Sequence, residues 1–424
     1  MISSLIRAEI RRLMMGTNYS QSNLQDEFDE FSGFVTSFSS LQEPRFYAQA
    51  AKHLEWINAM KAEIQALESN KTWDITSLPE GKKAIGCRWV YKLKLKPDGT
   101  IDRYKARLVA ISYNQVEGVD FIESFSPVAK AVKVRPMLAV AASEGWYIHQ
   151  LNVNNAFLHG YLDEEIYMDT PEGYPVPLGH VCKLQKSFYG LKQASRQWNH
   201  EFTTKMELFG FKQSKNDYCL FTKLTSASFV ALLVYVDDIL IAGPSESHIS
   251  EVKSYLDSLF TIKDLGTTKY FLGLEIARAP EGLALTQSKY IKDILQDMGL
   301  QTAKPTTTPL PAGIKFSAQA DSALPHLAIY RQLIRRLLYL SFTRPDLSHA
   351  TQQLMQILQT PCKQHWDAIV HLVRYLKGTP QKGLFFPSGT PLNLKAYCDA
   401  NWASCMDTRR SLTGYCILGP ALIS

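Results

Sequence analysis

The sequence predicts an α+β protein whose strands pair antiparallel, and three stretches carry that prediction. The first, FVALLVYVDDILIAG from Phe229 to Gly243, holds two short apolar runs, Val230 to Val236 and Ile239 to Ala242, with Asp237 and Asp238 between them. Short β-branched runs read as strands, and a two-residue link makes them a hairpin with both acids at its tip. In the second, Arg88 to Ala110, Lys92, Lys94 and Lys96 alternate with leucines, Pro97-Asp98-Gly99 supplies a turn, and Arg103, Lys105 and Arg107 alternate again. That pattern predicts another hairpin, with each basic trio on one face of its strand. In the third, Trp56, Met60, Ile64 and Leu67 recur at helical spacing, as do Trp366, Ile369, Val370, Val373 and Leu376 later in the chain; both read as amphipathic helices.

With 424 residues, 46% hydrophobic and 20% charged, the chain can bury a large core and should hold two or more subdomains. A formal net charge of +6 is too small to argue globally for nucleic acid, so any basic footprint must be local. The seven cysteines form no C-x-x-C pair and no zinc-type Cys/His spacing, which predicts reduced thiols in an intracellular protein. No apolar run reaches the roughly 18 residues of a membrane span, and MISSLIRAEIRRLMM lacks a cleavable signal pattern. A soluble protein without a visible targeting signal is expected, with its localisation otherwise open.

In chain order, residues 1–42 open on a short helical pattern and pass into the polar stretch TNYSQSNLQDEFDEFSG, which has no clear period; a disordered tail or linker is expected. A helix is expected from Pro44 to about Ser69-Asn70, then the basic hairpin, which suits either a lysine-protected edge or the gripping of phosphates. A helix over Val134 to Ala142 leads to a strand from Ile148 to Val153, broken by Asn154-Asn155; Phe157 follows, and Asp163-Glu164-Glu165 reads as a solvated turn. VCKLQKSFYGLKQASRQW, Val181 to Trp198, offers a glycine turn at Gly190 and a basic helix start with Lys192, Gln193 and Arg196. A helix over Ser247 to Phe260, a strand over Lys269 to Ile276, and a further strand and helix between Leu283 and Leu300 precede the Thr/Pro-rich linker Thr302 to Gly313. Beyond it come helices over Tyr330 to Leu340, Leu347 to Leu358 and Gln364 to Lys377.

Adjacent carboxylates on an apolar scaffold repel each other and lose hydration, so they call for a cation or donors. Tyr235-Val236-Asp237-Asp238 resembles the tyrosine-x-aspartate-aspartate box of reverse transcriptases, and LLVYVDDILIAG resembles the form carried by copia-type retrotransposon Pol polyproteins. The resemblance runs from about Glu43 to Gly419 and implies a right-hand polymerase. It assigns fingers and palm to 43–300, thumb and connection helices to 301–390, and a truncated ribonuclease H start to 391–424, where Asp399 would be the first acidic ligand.

By the same resemblance, Asp237 and Asp238 hold Mg2+, while Lys105, Arg107, Phe157 and Gln193 place the deoxynucleoside triphosphate. Lys92, Lys94, Lys96, Lys192, Arg196, Tyr270 and Gly273 would face an RNA or DNA template with its primer. One position departs: the strand before Phe157 should end in a third metal-binding aspartate, and Asn152 stands there. Two-metal nucleotidyl transfer needs anionic oxygens between two dications, so an Asn carbonyl predicts a catalytically impaired polymerase. The alternative expectation is a non-catalytic retrotransposon remnant that at most binds nucleic acid.

Overall fold

The computed structural model describes residues 43–95, 100–127, 129, 131–177, 179–226, 228–314, 316, 324, 327–403 and 409–424. The expected tail at 1–42 and Lys96 lie outside the described residues.

A six-stranded antiparallel sheet lies at the centre, in the order β11-β4-β10-β9-β8-β7. Its strands are β4 (Tyr147–Val153), β7 (Lys212–Gln213), β8 (Leu220–Leu224), β9 (Phe229–Tyr235), β10 (Asp238–Gly243) and β11 (Ile262–Thr267). Alternation along β4 and β10 sends Leu151, Val153, Ile239 and Ile241 to one face, where α3 (Ala194–Leu208) and α4 (Glu246–Leu259) cover them with Trp198, Phe202, Ile249 and Leu256. Ile148, Leu240 and Ala242 face the other way, against α2 (Ala131–Ser143). Gln150, Asn152 and Asp238 share that second face by the same period of two.

Ahead of this sheet, α1 (Leu54–Ser69) packs Trp56 and Met60 against β2 (Cys87–Leu95) and β3 (Ile101–Ala110). The helix expected from Pro44 is interrupted: Tyr47–Ala50 forms one turn, and extended His53 caps α1. A three-stranded sheet, β1 (Trp73–Ser77), β6 (His180–Lys186) and β5 (Tyr161–Met168), adjoins it in the order β1-β6-β5. Asp163-Glu164-Glu165 is therefore part of a strand, not a turn. Glu165 pairs with Lys82 at 3.0 Å and with Lys183 of β6 at 3.2 Å, and the acidic run falls where the β5–β6 register shifts between Tyr161 and Ile166.

Lys269 to Ile276, expected as one strand, folds as two. Tyr270–Phe271 (β12) and Leu274–Ala279 (β13) flank a turn in which Leu272 and Gly273 have φ of +49 and +74. Two consecutive left-handed residues reverse the chain as a tight hairpin. With β14 (Gly282–Thr286) and β15 (Leu384–Pro387) these strands complete a four-stranded sheet.

The helices α6 (Leu327–Leu340), α7 (Ser348–Met355) and α8 (Lys363–Gly378) enclose one apolar core, to which α5 (Ser288–Asp297) contributes Ile291, Ile294 and Leu295. The helix before the Thr/Pro-rich segment thus packs with those after it. That segment is itself fastened to α8 through Arg374 to the Lys304 carbonyl, 2.6 Å, and Thr306 to the His371 carbonyl, 3.1 Å. Strands β16 (Lys395–Asn401) and β17 (Leu412–Leu418) form a separate two-stranded sheet, with Asp399 exposed opposite Gly414. Among the described residues no helix is long and apolar enough to cross a membrane.

Candidate active site

The acidic hairpin forms one residue out of the expected register. Tyr235 pairs with Asp238, so the two-residue turn is Val236-Asp237, and Asp238 is already the first residue of β10. Val236 adopts φ +54, the left-handed region a primed hairpin turn requires, although a β-branched residue is strained there. Two donors fix the turn: the Val153 amide to the Asp237 carbonyl, 2.7 Å, and the Trp198 indole to the Val236 carbonyl, 2.7 Å.

β4 lies beside β10 with Asn152 directly opposite Asp238. The Asn152 amide nitrogen stands 3.3 Å from an Asp237 carboxylate oxygen and 3.2 Å from one of Asp238, and donates to both. Burial pushes the Asp238 carboxyl above the usual carboxylate range, and the neighbouring Asp237 charge adds to this; hydrogen bonds from Asn152 and Gln150 work against it without reversing it. The three residues singled out from sequence therefore do meet. Their chemistry is two acids bridged by a neutral donor, and among the described residues no group of three His, Cys, Asp or Glu side chains could hold a metal ion.

On the β2–β3 ribbon, Lys92 pairs with Lys105, Lys94 with Arg103 and Val90 with Arg107. Partners in an antiparallel pair share a face, so Lys92, Lys94, Arg103, Lys105 and Arg107 line a single cationic face; Trp89, Tyr91 and Leu108 hold the opposite face to α1. Burial lowers the Lys105 pKa, and the charges of Arg107, Arg103 and Lys94 lower it further against the opposing pull of Glu63.

Arg107 lies over the Tyr189 ring at 4.3 Å, and its buried Nε has no hydrogen-bond partner among the described residues. The Tyr189 ring meets Phe157 edge to face at 5.3 Å, and its hydroxyl reaches the Asn155 side chain at 3.4 Å. Burial pushes the Tyr189 phenol up to about 12; Arg107 opposes the shift, and Asp237 and Glu63 add to it. Tyr189 thus joins the basic ribbon to Phe157, a role the sequence reading missed. Its one signal was its place immediately before the Gly190 turn.

Gly190, at φ +96, lets that turn reach β3: an added Cβ would lie 2.2 Å from the Ala110 carbonyl oxygen. Lys192 and Gln193 precede α3, with Gln193 at its N-cap. Gln193 is fully buried, donating to the Asp120 carbonyl at 2.9 Å and accepting from Gln115 at 3.2 Å. Lys192 donates to the Gln115 carbonyl at 2.9 Å, and Arg196 pairs with Glu123 at 3.5 Å. All three are engaged by the 115–123 loop, so in this conformation Gln193 offers no surface to a nucleotide. Tyr270 is half-exposed beside the Leu272-Gly273 turn, whose Leu272 carbonyl accepts from Tyr339 of α6.

A sequence profile described as "Reverse transcriptase (RNA-dependent DNA polymerase)" matches residues 70–312. The chain is 42% identical over 387 residues to the "Retrovirus-related Pol polyprotein from transposon RE2" of Arabidopsis thaliana, covering 91% of this chain and 27% of that protein. It is 39% identical over 389 residues to the corresponding polyprotein from transposon TNT 1-94 of Nicotiana tabacum, covering 88% of this chain and 29% of that one. It therefore spans between a quarter and a third of the length of these relatives. Among solved structures, a foamy viral protease-reverse transcriptase in complex with double-stranded DNA aligns at a TM-score of 0.45 and 13% identity, covering 86% of this chain and 55% of the other.

Proposed function

The chain belongs to the reverse transcriptase family, with the family's α+β right-hand polymerase fold, and from that premise we propose that it is a copia-type RNA-directed DNA polymerase impaired by Asn152. One observation carries the reading: the Asn152 amide donates to both Asp237 and Asp238, where a third acid would be needed. The family uses a divalent metal, but these residues do not fit a pair of dications. Two carboxylates and one neutral side chain leave the repulsion between two such ions poorly offset.

In this reading the chain still binds an RNA or DNA template with its primer, and deoxynucleoside triphosphates. Lys105 and Arg107 meet the triphosphate, and Phe157, held against Tyr189, crowds the sugar. Gln193 reaches the incoming base once the 115–123 loop releases it. Lys92, Lys94, Lys192 and Arg196 neutralise template phosphates, and Tyr270 and Gly273 hold the primer end. Residues 43–300 serve as fingers and palm, 301–390 as thumb and connection, and 391–424, with Asp399, as the start of a ribonuclease H-like segment. The second reading, a chain that binds nucleic acid without any catalysis, rests on the same amide contact.

Primer extension on an RNA template separates them, comparing the chain with Asn152→Asp in Mg2+ and in Mn2+. Extension by the Asp variant alone supports a polymerase silenced at one side chain. Equal extension by both overturns the argument from Asn152. Extension by neither, with primer-template still bound, favours the non-catalytic reading.

A further inference from the structure

The turn that carries the two acids is held in an unfavourable backbone state by a contact from outside its own sheet. Val236 sits at φ +54, and the turn is only two residues long, so a relaxed Val236 would redirect Asp237. The Asp237 carbonyl is secured by Val153, from β4 of the same sheet. The Val236 carbonyl is secured by the Trp198 indole at 2.7 Å, from α3.

Trp198 is 2% exposed and wedged among three rings: His159 at 5.9 Å, Phe202 at 5.5 Å and Phe260 at 5.1 Å between centroids. Those neighbours fix the direction of its N–H. An indole has one donor and no acceptor, and here that donor is spent on the strained residue.

We infer that Trp198 is the positioning residue of the acidic turn, holding Val236 left-handed so that Asp237 and Asp238 converge on Asn152. Strained residues persist where surrounding contacts over-determine them. The indole supplies one of the two contacts that do so here, beside its part in the core. The purpose of this device rests on the polymerase reading; the device itself does not.

The test uses Trp198→Phe, which keeps a ring and removes the donor, and Val236→Gly, which removes the cost of positive φ. Amide hydrogen exchange across residues 235–239 is the first readout. Trp198→Phe should accelerate it about tenfold, and adding Val236→Gly should return it to within about threefold of the parent. Unchanged exchange in Trp198→Phe overturns the inference. So does equal acceleration with Val or Gly at 236, which would mark Trp198 as packing alone.

Should Trp198→Phe fail to fold, the indole proton of Trp198 in the unaltered chain, labelled with 15N-tryptophan, decides. Protection matching the turn amides supports the role, and fast exchange overturns it. Mn2+ binding, read by electron paramagnetic resonance in the Asn152→Asp background, separates the two claims. Trp198→Phe should weaken it about tenfold, with recovery on Val236→Gly. Absence of Mn2+ binding alongside the expected exchange pattern would sink the polymerase reading and leave the positioning role standing.

Discussion

Arg344 is the largest fully buried side chain in the described structure, and its guanidinium is met on every side. It grips Asp346 through Nε at 3.0 Å and a terminal nitrogen at 2.9 Å, and donates to the Thr379 carbonyl at 2.8 Å. Burial alone would raise the Asp346 pKa. Hydrogen bonds from Arg344 and Tyr375, with the charges of Arg344 and Lys382, outweigh it and hold the carboxyl far below its ordinary range. A carboxyl depressed on folding contributes stability above its unfolded pKa, about 4, and that contribution is lost as pH falls toward the folded value. Asp346→Asn leaves a buried cation half-matched and should cost about 3 kcal/mol at pH 7. The gap from the parent should narrow steadily in urea melts below pH 4, and a gap constant with pH would contradict the assignment. At the same scale, Tyr189→Ala removes the ring under Arg107. A lost cation–π contact of about 1 kcal/mol should weaken inorganic triphosphate binding roughly fivefold, whereas Tyr189→Phe, which keeps the ring, should bind nearly as the parent does.

Elements depend on a few backbone positions that tolerate no substitute. Gly190 joins β6 to α3 while its neighbour Tyr189 accepts the Ala110 amide of β3 at 2.7 Å. Gly190→Ala would combine a positive-φ penalty with a Cβ 2.2 Å from the Ala110 carbonyl oxygen. The expected loss is about 2 to 4 kcal/mol in thermal or urea denaturation; a loss under half of that would mean the turn relaxes freely. The glycine turn was legible from sequence because glycine punctuates so strongly. The Leu272-Gly273 hairpin was not, since an apolar run through a left-handed leucine looks like continuous strand. Asp163-Glu164-Glu165 misled in the opposite direction, because Lys82 and Lys183, which pair with Glu165, come from elsewhere in the chain. The acidic hairpin was found to within one residue. The remaining residue was fixed by Val236 accepting a conformation that its side chain disfavours, which local propensity cannot reveal.

At the scale of the whole molecule, the separate bodies meet at contacts that no sequence pattern announces. Arg135 of α2 donates to the Phe342 carbonyl beyond α6, Tyr339 of α6 to the Leu272 carbonyl, and Thr343 to Gln287 at 2.7 Å. The cationic ribbon shows the same limit: alternation placed each trio on one face of its strand, but only the register shows that Lys92 and Lys94 share a face with Arg103, Lys105 and Arg107. Lys92 stands opposite Lys105, and Lys94 opposite Arg103. Like charges directly opposed destabilise a ribbon. Glu43, 3.3 Å from Lys92, and Asp102, 3.9 Å from Arg103, form exposed pairs that offset little, and Glu63 pulls on Lys105 without reversing its lowered pKa. A face kept under such repulsion is relieved by a polyanion, so Lys94→Ala should act in opposite directions on the two states. In low salt the free chain should gain about 0.5 kcal/mol of unfolding free energy in urea denaturation as the repulsion falls. Primer-template affinity should fall, and the slope of log K against log salt should flatten by about one, the signature of one lost phosphate contact. Lys212→Ala, on the far edge strand β7 of the central sheet, should leave that slope unchanged. Equal slopes for parent, Lys94→Ala and Lys212→Ala would mean that the ribbon does not meet the nucleic acid, and its lysines would then be protection for an exposed edge.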